Sequence, residues 1–298
     1  NKAIAQAMEE ERVGARIFGI HMEGPFISTE KLGSVELDEV KKPDLELMKK
    51  YIETANGHIT TVTLAPEIEG NLEIIDYLVE KGINVCIGHT NATYDETMEA
   101  IDRGAIITQK TGNCMRGMHH REMGVVGAAL LDQRIYNEIN SDGAHTSIEF
   151  LDLCYRLKGR DKLCIIADSG VMSGMKQGRY HLPDRGPYEV GKDNLLHIED
   201  GTIDGSILHI LHGIRVWVEQ VGIPMEDAVV MASLNPARVL KIDHEKGSIK
   251  ECKDADFTII TDDYNVVATY VEGNLEYDAR DETPYENVDI YKYLIEAY

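Results

Sequence analysis

The sequence predicts an α/β fold, a TIM-like (β/α)8 barrel with its first two strands expected before Asn1, joined to part of a small β-subdomain. Three observations predict it. Short apolar runs alternate with amphipathic stretches through the first two-thirds of the chain, the pattern of parallel strands joined by right-handed helical crossovers. Six such runs occur where a closed barrel needs eight. Reactive polar residues also recur at the C-terminal ends of these runs, where barrels and open α/β sheets place their sites.

The chain opens in a helical pattern, Asn1 to Arg12. The strand-like runs follow at Arg16–His21, Ile59–Leu64, Ile83–Gly88, Ala105–Thr108, Ile135–Asn140 and Leu163–Asp168. Amphipathic stretches such as Leu72–Lys81, Tyr94–Arg103 and Ser147–Leu157 read as the helices between them. Past Gly201 the pattern changes to a long helix, Ser206–Val221, a shorter one, Met225–Ala232, and the run Asn235-Pro236-Ala237-Arg238. Two β-runs, Phe257–Thr261 and Val266–Glu272, sit beside turn residues. The division expected is a barrel over residues 1–250 and the C-terminal part of a β-subdomain over 251–298.

Composition excludes several partners. With 30 basic and 52 acidic residues the net charge is −22, which repels nucleic acid and anionic membranes. No stretch approaches the roughly 18 apolar residues of a membrane span, and nothing at the start reads as a signal peptide. Five scattered cysteines without a CxxC pair read as free thiols of a reducing cytoplasm. An anionic substrate would require local positive charge set against this acidic field.

Four strand-end signals point to chemistry. Glu23, in Gly19-Ile20-His21-Met22-Glu23-Gly24-Pro25, is a carboxylate followed by a rigid turn. His89 follows an apolar strand and is placed to ligate a metal through one ring nitrogen. Asp168 ends the sixth run, the place of a general base or metal ligand, and Asp142-Gly143-Ala144-His145 brings a second imidazole on a turn. Each alone has an ordinary structural role, as a turn carboxylate, a core histidine or a helix cap. Four on successive strand ends argue for a carboxylate-and-imidazole metal site that activates water.

The strings HMEGPF, GHTNATYDE, NCMRGMHHREMGVVGAALLD, SDGAH, IIADS, GTIDGSIL and NPAR stand in an order and spacing that resembles the N-acetylglucosamine-6-phosphate deacetylase family, from about Gly14 to Gly273. The resemblance implies hydrolysis of the N-acetyl group of N-acetylglucosamine-6-phosphate to glucosamine-6-phosphate and acetate. It implies a divalent metal, zinc or iron, on Glu23 and His89. Asp168 then moves the proton from water to the leaving amine, and His145 polarises the acetamide carbonyl. Asn113, Cys114 and Arg121 match sugar- and phosphate-contacting positions. Ser34, Asp142, Gly143, Ala144, Ile203, Asp204 and Gly205 match further substrate-lining ones. A homodimer is implied too. Arg121, with His119 and His120 beside it, has the charge a phosphate ester requires.

One position departs. Anchored on Asn113 and Met115, the third metal-ligand histidine of the family falls on Lys110, in Thr108-Gln109-Lys110-Thr111-Gly112. An ammonium has no lone pair to give a metal. The alternatives are therefore a related amino-sugar amidohydrolase, or a sugar-phosphate-binding homologue of impaired catalysis.

Overall fold

The computed structural model describes residues 1–10, 14–170, 172–182 and 186–280. Residues 11 and 12 of the expected first helix and 281–298 of the expected C-terminal unit lie outside them. The helix itself, α1, spans Lys2–Glu9.

All six expected runs form one parallel sheet in sequence order, β1 (Ile20–Glu23), β2 (Ile59–Leu64), β3 (Asn84–Ile87), β4 (Ala105–Thr108), β5 (Tyr136–Asn140) and β6 (Leu163–Ile166). Sequential parallel order with a helix between neighbours is the barrel arrangement. The crossover helices α2 (Leu45–Thr54), α3 (Asn71–Glu80), α4 (Tyr94–Asp102), α5 (Gly124–Leu131) and α6 (Ile148–Lys158) turn apolar faces to the sheet. Their start signals are local. Asp44 caps α2, Ser147 caps α6, and Thr93 with Glu96 forms a reciprocal capping box on α4. The core runs from Met22, Val62, Val85 and Ile139 through Ile74, Leu78, Leu130 and Leu151.

Two expectations are corrected. The first strand is Ile20–Glu23, not Arg16–His21, because pairing with β2 begins only at Ile20↔Ile59 and runs to Glu23↔Thr63. Glu23 therefore lies within the strand. The long helix from Ser206 is also absent. Ser206 ends a strand, with its amide on the Asp168 carbonyl (2.8 Å), and the helix α7 starts at Ile210 and ends at Val216. A π-helical turn, Trp217–Val221, continues it, and the Trp217 indole N–H donates to the Ser141 hydroxyl (2.8 Å). Likewise α8 covers Met225–Val229, followed by a second π-turn, Val230–Leu234.

A four-stranded antiparallel sheet between β6 and α7 was not expected. Its strands β7 (Gly178–Leu182), β8 (Gly186–Val190), β9 (Leu195–Ile198) and β10 (Ile203–Ser206) surround a small core of Met172, Leu182, Tyr188, Val190 and Leu196. Through a parallel Ser169↔Ser206 bridge β10 also lies beside the end of β6. A three-stranded antiparallel sheet, β11 (Phe257–Ile260), β12 (Val266–Val271) and β13 (Asn274–Asp278), follows the last helix, α9 (Asn235–Val239). Its third strand was also unforeseen. Glu272 and Gly273 both take positive φ, the requirement of a tight hairpin turn.

The NPAR run has a structural reason. The Asn235 amide, fully buried, donates to the carbonyls of Arg160 (2.6 Å) and Leu163 (2.7 Å) where β6 begins. Asn235→Ala strands both acceptors. We expect a loss of roughly 2–3 kcal/mol in urea unfolding with the far-UV spectrum unchanged, and a variant as stable as the parent would remove this bracing role.

Candidate active site

The ladder pairs Ile87 with Thr108, and Asn140 with Ile166. Two residues past each of three strand ends, His89, Lys110 and Asp168 all take left-handed backbone (φ +46°, +45° and +52°). None is glycine, so each is held there against its own preference, as happens at functional sites. The turn throws each side chain over the mouth of the sheet, where Glu23 arrives from β1.

The groups converge. Lys110 Nζ lies 3.0 Å from Glu23 Oε1 and 3.2 Å from Asp168 Oδ1. His89 Nε2 lies 2.8 Å from the same Glu23 oxygen, and its Nδ1 faces the Lys31 carbonyl at 2.9 Å. Carbonyl and carboxylate oxygens only accept, so both ring nitrogens donate. His145 Nδ1 is 2.5 Å from Asp142 Oδ2, which leaves Nε2 turned to Asp168 Oδ2 at 3.9 Å. Asp142 Oδ1 also takes the amides of Ala144 and His145.

The charges follow from these contacts. Burial raises the Glu23 carboxyl, but the His89 hydrogen bond and the Lys110 charge prevail and lower it to about 2. Burial lowers Lys110, but Glu23 and then Asp168 outweigh it and the ammonium is held more firmly than a free lysine. Burial lowers His89 too, and hydrogen bonds to Cys114 and Glu23 reverse the shift upward. Burial raises the Asp142 carboxyl, while the His145 hydrogen bond and the Ala144 amide bring it below its ordinary value.

The other expected residues spread around this centre. A Cβ at Gly33 (φ +61°) would stand 2.7 Å from Cys114 Sγ and 3.5 Å from His89 Cε1, so the loop bearing Ser34 crosses over the imidazole. Asn113 donates its amide to the Lys110 carbonyl (2.7 Å). Arg121 is exposed on the turn closed by the His119 and Glu122 backbone pair. Glu122 pairs with Arg116 at 3.3 Å, so among the described residues no carboxylate is bonded to the Arg121 guanidinium. Gly143 and Ala144 are exposed beside Asp142, and Ile203 and Asp204 are half-buried on β10. At Gly205 a Cβ would meet the Asp168 carbonyl at 2.7 Å, so this glycine lets β10 pass close to Asp168.

Two contributors escaped the sequence reading. Asn140 donates to Asp168 Oδ2 (3.1 Å). Glu138, two residues before it and on the same strand face, stands 4.0 Å from His21 Nδ1. Burial, then the Glu23 charge, pushes the Glu138 carboxyl up to about 8. The signal for both was the polar alternation Asn-Glu-Ile-Asn within a strand.

Strand-end carboxylates and imidazoles on a parallel barrel sheet define a hydrolase of the barrel class. The amidohydrolase family profile matches residues 2–275. The N-acetylglucosamine-6-phosphate deacetylase of Bacillus subtilis (strain 168) is 36% identical over 271 residues, 91% of this chain and 68% of that protein. The N-acetylgalactosamine-6-phosphate deacetylase of Escherichia coli O157:H7 is 32% identical over 92% of this chain and 72% of its own length. The crystal structure of the N-acetylglucosamine-6-phosphate deacetylase from Pasteurella multocida superposes with a TM-score of 0.85 at 32% identity, covering 92% of this chain and 71% of that one. The chain belongs to the amidohydrolase family, and within it to the N-acetylglucosamine-6-phosphate deacetylases.

That family is typically metal-dependent. The donors of this chain do not fit a divalent ion. Among the described residues no three His, Cys, Asp or Glu side chains are grouped to hold one. Glu23 Oε1 is already shared by His89 and Lys110. A dication about 4 Å from the ammonium would meet repulsion of roughly 8 kcal/mol at an effective dielectric constant near 20.

The raised Glu138 gives a stability test. Its folded value, about 8, exceeds its ordinary 4.5. The folded state therefore holds the proton longer than the unfolded chain, and stability falls as pH rises from 4.5 to 8. Glu138→Gln should gain on the order of 2 kcal/mol at pH 8 relative to the parent and little at pH 4.5. Calorimetric melting at both pH values checks this; parallel melting curves would refute it.

Proposed function

We propose that the chain hydrolyses the acetamide of an N-acetylated amino sugar 6-phosphate, with N-acetylglucosamine-6-phosphate as substrate, releasing acetate and the free amine. The observation that carries the reading is the line Asp142–His145–Asp168, an oriented imidazole turned to a carboxylate at a strand end. Amide hydrolysis adds water to the acetyl carbon and expels nitrogen, so one group must take a proton from water and return one to the amine. Asp168 has that position, steadied by Asn140 on Oδ2 and Lys110 on Oδ1. His145, fixed through Nδ1 by Asp142, presents Nε2 to the developing oxyanion, which it steadies when that nitrogen carries a proton.

Glu23 and His89 are the pair that would ligate a metal, but Lys110 engages this set. The Arg121 guanidinium, without an ion pair among the described residues, is the candidate phosphate anchor, with Asn113, Cys114 and Ser34 toward the sugar. Asp142, Gly143, Ala144, Ile203, Asp204 and Gly205 complete the proposed lining. A second reading, sugar-phosphate binding without turnover, is favoured by Lys110 in place of a ligand. The E. coli relative, named for the galactosamine ester, makes the sugar epimer a further question.

Acetate release from the two epimeric 6-phosphates tests the proposal. Asp168→Asn should reduce kcat by about 100- to 10,000-fold with the fold intact; full activity in that variant would sink the assignment. Arg121→Ala should raise KM roughly tenfold or more with little change in kcat. An unchanged KM would remove Arg121 from the phosphate site.

A further inference from the structure

We infer that the Lys110 ammonium is the resident cation of this site, standing between Glu23 and Asp168 in place of a divalent metal, and that the chain takes up its sugar phosphate without one. The inference rests on the reading above for the ligand, but not on turnover.

Three features carry it. Lys110 is shared between two carboxylates from different strands, at 3.0 and 3.2 Å, so one ammonium closes the gap from β1 to β6. Its side chain is mostly shielded, 19% exposed, at the mouth of the sheet. Its backbone is clamped. The neighbouring amides of Gln109 and Thr111 donate to Ile87 and Glu138, the Lys110 carbonyl accepts from Asn113, and Thr108 and Thr111 bond through their hydroxyls (2.6 Å) with Asn137 on Thr108. A lysine fixed in this way is built into the site.

The groups around it agree. Glu23 and Asp168 supply the negative field, and no second lysine or arginine bonds to them among the described residues. Glu23 Oε1 also accepts from His89, so this one oxygen already has two donors from this chain. An ammonium steadies carboxylates and a developing oxyanion. It cannot acidify a bound water as a divalent ion does. The site is thus equipped to bind and orient first, and its hydrolysis, if fast, must draw on Asp168 and His145.

The test is metal content. The full chain is incubated in turn with zinc, manganese and iron(II), desalted, and measured by inductively coupled plasma mass spectrometry beside Lys110→His. We expect below about 0.1 equivalent in the parent and close to one in Lys110→His, with zinc affinity by calorimetry rising at least 100-fold. Lys110→Gln, which removes the charge without adding a ligand, should fold if the histidine variant does not, and should lose the Glu23–Asp168 bridge as a lowered melting temperature. Binding of N-acetylglucosamine-6-phosphate to the parent should be the same with and without EDTA. One equivalent of metal in the parent, lost in Glu23→Gln or His89→Ala, overturns the inference, as does binding abolished by EDTA. Absence of acetate release from a metal-free parent counts against the deacetylase reading alone, whereas acetate release with bound metal counts against this one alone.

Discussion

The site depends on the registration of parallel strands. Because Ile87 pairs with Thr108, His89 and Lys110 leave adjacent strands at one level, and β6, paired with β5 from Asn137↔Leu163 to Asn140↔Ile166, runs on to bring Asp168 against Lys110. The same left-handed turn at each of the three ends aims the side chains inward. A slip of one residue in any ladder would send the following side chain to the opposite face. The apolar core, from Val62 to Ile139, holds that register, since only one alternation buries these side chains against α2 to α6. Packing on the outer face of the sheet therefore positions polar chemistry at its rim.

Electrostatics then decides what the rim can do. The chain carries −22 overall, and the mouth of the sheet adds Glu23 and Asp168 with Glu138 below. Carboxylates in a partly buried volume repel one another, and the Glu23 charge adds to burial, the larger cause, in raising Glu138. Lys110 and the doubly donating His89 offset this repulsion. Lys110 sits against the two carboxylates nearest the opening, while Glu138, further from compensation, keeps its proton to higher pH. The polar rim is thus balanced within the chain, and Arg121, exposed and without an ion pair among the described residues, adds positive charge on its turn.

The parallel sheet was legible because its strands are apolar and β-branched, and the helices because caps such as Thr93 with Glu96 mark their starts. The fit was poorer where tertiary context set the structure. Arg16–Gly19 has the composition of a strand but no ladder partner, and Ser206 looks helical but is claimed by the Asp168 carbonyl. The strands β7 to β9 are short and half polar, so their alternation is weak against the surrounding turns. Helix α5 gave no period because nearly every residue from Gly124 to Leu130 is buried, which leaves no polar face to read. In the site, residue types at strand ends singled out Glu23, His89, His145 and Asp168. Asn140 and Glu138 were hidden because a polar residue inside a strand reads as its exposed face, whereas here that face lines the centre of the sheet.

Lys110 shows how one side chain can change a site's chemistry while the scaffold stays the same. The turn that carries it keeps its left-handed backbone and its bonds to β3 and β5, and neither depends on the side chain. The fold thus places little constraint on which residue projects from this point. The carboxylates do constrain it. An apolar residue here would leave Glu23 and Asp168 facing each other across a partly buried gap, which costs more than an imidazole with a metal or an ammonium alone. The position accepts whatever brings positive charge, and an ammonium brings it without an ion from solution. It also brings less, one charge in place of two and no coordination sphere for water. In the proposed reaction, Lys110 would leave the arrangement of the strand ends intact and shift the burden of bond breaking onto Asp168 and His145.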